Sequence, residues 1–154
     1  MSRAQWAVAA LLAVGFAVAA VVVAGGGSGG DDGPAAFDEV AWCRAASAMS
    51  ERAAMFEPGF DGDGSTAVVN LLVEVDTALP LAALELRPHL ARVNDVVVLV
   101  SENLSPTASV QEALAASLVF TDGPRLEEAV AAVSAAMVSC GHAPLPAALA
   151  GASG

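Results

Sequence analysis

Five stretches of apolar residues, spaced three or four apart and separated by Pro, Gly or capping residues, constrain the fold of this chain most. Residues three and four apart share a helix face, so each stretch predicts an amphipathic helix with one stripe to bury. The first stripe is Trp42, Ala46, Met49, Ala53 and Phe56, with Asp38 as the predicted N-cap and Glu57-Pro58-Gly59 as the stop. The second is Val68, Leu72, Val75 and Leu79, opened by Ser65 or Thr66 and closed by Pro80. The third and clearest is Leu86, Leu90, Val93, Val97, Val100 and Leu104, ended by Ser105-Pro106.

Ser109 and Glu112 have the spacing of a capping box and open a fourth helix carrying Val110, Leu114 and Leu118. Thr121-Asp122-Gly123-Pro124 interrupts it, and Pro124 suits the first turn of a fifth helix. That helix aligns Leu126, Val130, Val133, Met137 and Cys140, with Gly141 as its C-terminal cap. Val96 to Val100 competes with this reading, because a β-branched, continuously apolar run also suits a buried strand. The third stripe passes through it without a turn signal, which favours a central helix. The predicted fold is all-α: an antiparallel four- to five-helix bundle over residues 37–142, its fourth and fifth helices one broken element or two. The uncharged, Ala-, Pro- and Gly-rich residues 143–154 are predicted to be a disordered tail.

A different pattern precedes the bundle. Trp6 to Ala24 is 19 residues without a charge or strongly polar group. As a helix it measures roughly 28 Å, close to the hydrocarbon thickness of a bilayer. Arg3 before it and Asp31 and Asp32 after it predict a cytoplasmic start and an exported domain. Residues 1–24 thus read as a signal anchor or a signal peptide. The length favours an anchor; Ala17-Val18-Ala19 and Val22-Val23-Ala24 offer small-residue cleavage sites. Residues 25–36, rich in Gly and Asp, read as a flexible linker.

After that segment come all 17 acidic residues and only five basic ones, Arg44, Arg52, Arg87, Arg92 and Arg125, a net charge of −12. Such a surface repels phosphate, which argues against nucleic acid and anionic lipid head groups as partners. The scarcity of aromatic residues argues against a stacking platform for sugars or bases. The absence of Lys, Ile and Tyr reflects a GC-rich bacterial coding sequence.

Few residues invite a chemical role. Cys43 and Cys140 are the only cysteines; in an exported chain such a pair predicts a disulfide. They fall in the first and last helices, which are neighbours in a closed up-and-down bundle. Two thiolates would need further ligands to hold a metal, and only His142 is close to either in sequence. Asp61-Gly62-Asp63-Gly64-Ser65 begins like a calcium loop, but Thr66 replaces the glycine at position six and Leu72 the bidentate glutamate at position twelve. A polar turn capping the next helix is the expectation there. His89 and His142 read as surface or capping residues, and Met49, Met55 and Met137 as core, since no haem-attachment motif accompanies them. Glu127-Glu128 is read as a pair opposing the dipole of the fifth helix. No nucleophile elbow, zinc-protease motif or phosphate-binding glycine loop occurs, so no catalytic, metal or cofactor site is predicted.

The order of apolar segment, Gly/Asp linker, Trp42-Cys43, Ala/Val-rich helices and Cys140-Gly141 resembles small exported helical domains of actinobacterial type. The resemblance implies export and a disulfide-stapled bundle, and no activity or site. The expected function is a non-enzymatic, membrane-tethered extracytoplasmic module that binds a protein or cell-envelope partner. The alternatives are a secreted carrier of a small apolar ligand and an enzyme with a dispersed site.

Overall fold

A computed structural model describes residues 37–151; the predicted apolar segment and the linker lie outside the described residues. The described residues form five α-helices: α1 (Glu39–Ala53), α2 (Gly64–Ala78), α3 (Arg87–Asn103), α4 (Val110–Leu118) and α5 (Gly123–Ser139). Short 3-10 turns extend α1 (Ala54–Phe56) and α2 (Leu79–Leu81), and a third covers Ala147–Ala150. Among the described residues there is no strand, and Val96 to Val100 lies within α3.

Local side chains set most of the boundaries. The Asp38 carboxylate accepts the Ala41 N–H at 3.0 Å and starts α1. The opening of α2 differs from expectation: Asp63 is the cap, one residue before Gly64, and it accepts the Ser65 N–H at 3.1 Å. The same carboxylate takes the Ser65 and Thr66 hydroxyls at 2.7 and 2.6 Å, so both predicted openers serve the cap from inside the helix. The capping box of α4 is complete: Ser109 N–H donates to Glu112 Oε2 at 2.8 Å and Glu112 N–H to Ser109 Oγ at 3.2 Å. Asp122 caps α5, separated from α4 by a true break. At its far end Gly141 is left-handed (φ +80°), and the N–H groups of Gly141 and His142 bond back to Val138 and Met137.

α1 packs on α2, α2 on α3, and α3 on both α4 and α5. Cys43, near the start of α1, is bonded to Cys140, just past the end of α5, with Cα atoms 5.3 Å apart. The first and last long helices therefore meet start to end, as antiparallel neighbours do. The stripes of α1 and α5 are buried as predicted, Cys140 being half-buried. In α2 the buried face is Val68, Leu71, Val75 and Ala78, while Leu72 and Leu79 are half-buried. A helix held between two neighbours buries the face between them, here about one residue round from the predicted stripe. α3 touches three helices and buries Val96 as well. The buried Ser117 hydroxyl donates to the Ala113 carbonyl at 2.7 Å and accepts from Asn103 at 3.2 Å, so it costs the core little.

The expectation of a disordered tail over residues 143–154 is corrected for residues 143–151; residues 152–154 lie outside the described residues. Leu145 and Leu149 are 6% and 1% exposed, and the Ala147–Ala150 turn packs on α5. Ser134 accepts the Leu145 N–H at 3.1 Å, and Ser50 donates to the Ala143 carbonyl at 3.2 Å. Two buried leucines contribute about 1.5–3 kcal/mol each, enough to offset ordering a few residues already restricted by proline.

Candidate functional site

The disulfide is at the edge of a cleft built from three separate parts of the chain. The start of α1 supplies Phe37, Glu39 and Trp42; the α2–α3 connection supplies Ala83, Glu85 and Leu86; the end of α5 supplies Ala136, Ser139 and Cys140. Its volume is about 210 Å³. The cleft exists because the disulfide holds the end of α5 against the start of α1. Arg87 fixes the third part, donating from Nε and Nη2 to the carbonyls of Ala82 and Pro80 at 3.1 and 2.9 Å.

Trp42 is 3% exposed and lines the cleft. Glu39 and Glu85 are exposed lining residues without a cationic partner; the sole ion pair among the described residues is Arg125–Asp122, at 3.4 Å. Phe37 is 51% exposed, and Leu84 and Val138, next in the chain to lining residues, are exposed apolar side chains. The cleft thus offers two carboxylates and apolar walls.

The other predicted residues scatter. Asp63 is occupied as a helix cap; the Thr66 hydroxyl first, and the Ser65 hydroxyl next, hold its carboxyl below the usual range. No group of three or more potential metal-ligating side chains occurs among the described residues. His142 Nε2 is 2.9 Å from the Cys43 carbonyl, tying the end of α5 to α1 beside the disulfide. His89 lines a separate groove of about 170 Å³ with Arg92, Arg125 and Glu128. Met49, Met55 and Met137 are buried core. Glu127 and Glu128 lie in the second turn of α5, not the first, so the reading of the pair as a dipole partner is corrected: Asp122 holds the N-terminal position.

Comparison with protein-family models, curated proteins and solved structures finds no match to this chain. The cleft itself was not foreseen from the sequence. Its single advance signal is Trp42-Cys43, an aromatic residue beside a cysteine in a chain with few of either.

Proposed function

We propose that this chain is a membrane-tethered, extracytoplasmic helical module, non-enzymatic, that binds a protein or cell-envelope partner through the cleft at Trp42. The Cys43–Cys140 bond carries the reading, because such bonds persist in oxidising compartments outside the cytoplasm. The apolar segment at 6–24, with Arg3 before it, supports the same address. The resemblance to actinobacterial exported domains agrees with it. A carrier of a small apolar ligand is less well supported. The cleft, at about 210 Å³, falls below the roughly 300–1,000 Å³ of small-molecule pockets, and the hollow of about 630 Å³ lined by Asp76, Leu79, Pro80, Arg87, Pro88 and Ala91 is a broad surface groove with charged groups at its rim, not an enclosed apolar cavity between helices.

Two measurements test the proposal. A reporter active only outside the cytoplasm, fused after Gly154, is expected to be active, and the chain is expected in the membrane fraction. A photo-crosslinking residue at Leu84 is expected to give a discrete adduct that the same residue at exposed Val69, on α2, does not. Activity of a cytoplasm-only reporter would overturn the address. Recovery of the chain in the soluble exported fraction would replace the tether by secretion, and identical adducts from both positions would remove the cleft as the binding face.

A further inference from the structure

We propose that the Cys43–Cys140 disulfide is a reducible latch: a dithiol opens it in the folded domain, and opening releases a C-terminal strap, residues 141–151, from the bundle. Such a latch operates whether or not the cleft is a binding face. Both cysteines are half-buried, and Cys140 lines a cleft whose other walls include exposed residues. The seam that the bond closes is thin: α1 touches α5 less than it touches α2, and α5 touches α1 less than it touches α3. Beyond the disulfide the strap itself bridges the two helices. Ser50 of α1 donates to the Ala143 carbonyl at 3.2 Å, and Ser134 of α5 accepts the Leu145 N–H at 3.1 Å. His142 Nε2 is 2.9 Å from the Cys43 carbonyl, and left-handed Gly141 makes the turn into the strap. The disulfide thus fixes the root of the strap, one residue before that turn.

The exchange is a balanced two-electron transfer. One thiolate of the dithiol, entering by the cleft, attacks Cys140 Sγ; the protein S–S bond breaks, and Cys43 leaves as a thiolate that takes up a proton. The reagent's second thiolate attacks the reagent sulfur of the mixed disulfide and expels the Cys140 thiolate, which is protonated in turn. The protein bond is reduced to two thiols and the dithiol is oxidised to a disulfide. With its root free, the strap is held by buried Leu145 and Leu149 and by the contacts with Ser50 and Ser134. That set is close in size to the entropy of ordering the strap, so the strap opens while α3, packed on three helices, stays closed.

The experiment treats the full chain, in neutral detergent micelles at mildly alkaline pH, with dithiothreitol, and counts thiols by alkylation and intact mass. Reduction is expected to be proportional to dithiothreitol and within about a hundred-fold of its rate in guanidinium; a bond that opens only through global unfolding is slower by about a thousand-fold or more. A slower rate than that hundred-fold limit would overturn the latch. With the monothiol cysteamine, the acid-trapped mixed disulfide is expected on Cys140, and capture on Cys43 alone would overturn entry by the cleft. Hydrogen exchange read by mass spectrometry, with both forms fully reduced after quenching, follows the strap. On reduction, residues 143–151 are expected to lose protection by about ten-fold or more, while α3 stays at least about a hundred-fold more protected than the strap. Cys43→Ser/Cys140→Ser is expected to reproduce the reduced pattern. Unchanged strap protection, or loss of protection in α3 together with the strap, would each overturn the proposal, the second by making the bond a staple of the whole fold.

Discussion

Replacing both cysteines, Cys43→Ser/Cys140→Ser, tests the staple at the centre of the fold. The bond joins residues 97 apart in sequence. In the chain-entropy model a closed loop of that length removes unfolded-state entropy equivalent to about 4.7 kcal/mol at 25 °C. The 115 described residues carry an unfolding entropy of about 240 cal/mol/K near 60 °C, at ~2.1 cal/mol/K per residue. The full effect therefore corresponds to a fall in Tm of roughly 19 °C, and half of it, after residual structure in the unfolded chain, to roughly 10 °C. Circular dichroism during heating, on the full chain in detergent without reductant, is expected to show a fall between those limits. A second readout separates entropy from lost contacts: a chain freed of a near-domain-length loop expands more on unfolding, so the guanidinium m-value is expected to rise in the variant. A Tm within 3 °C of the parent would refute the staple. A large fall with an unchanged m-value would place the stabilisation in native contacts such as the His142–Cys43 hydrogen bond.

Other expectations follow from single sites. Leu149→Ala is expected to cost about 2–5 kcal/mol in thermal or denaturant unfolding, since Leu149 is 1% exposed; a change under 0.5 kcal/mol would return the tail to disorder. Gly64→Ala is expected to lower Tm although alanine is the better helix former, because its Cβ would stand 2.6 Å from Val110 Cγ2. Adding Val110→Ala is expected to restore part of the loss, and strict additivity of the two changes would refute the clash. Glu112, whose carboxyl is held below its usual range first by the Ser109 N–H and then by its hydroxyl, behaves like Asp63. A depressed folded pKa gives stability that is present above the unfolded values of 4.5 and 3.8 and lost as pH falls through the lower folded values. Tm is thus expected to fall on acidification below about pH 4.5, less steeply in Asp63→Asn/Glu112→Gln; parallel curves would contradict the assignment. Millimolar Ca²⁺ is expected to leave Tm unchanged, and a rise of several degrees that disappears in Asp63→Ala would show that Asp63 binds the ion.

Helix existence and helix ends were legible wherever the deciding interaction is local. Asp38, the Ser109–Glu112 box and Gly141 act within four residues of themselves, and each stands where the spacing placed it. The pairing of Cys43 with Cys140 was legible for a different reason: with two cysteines there is one intramolecular partner. The buried face of α2 was not legible, because the choice between Leu71 and Leu72 depends on which two helices flank it. Nor was the order of the tail, since Leu145 and Leu149 gain their stability from α5 and its neighbours.

Periodicity and capping chemistry thus determined these five helices of residues 37–151, because backbone geometry and a few side-chain hydrogen bonds decide both their existence and their ends within a turn or two. The cleft at Trp42 was decided only by tertiary structure. Trp42, Glu85 and Cys140 belong to three segments that share no sequence pattern, and they meet because a disulfide and the Arg87 hydrogen bonds draw those segments together.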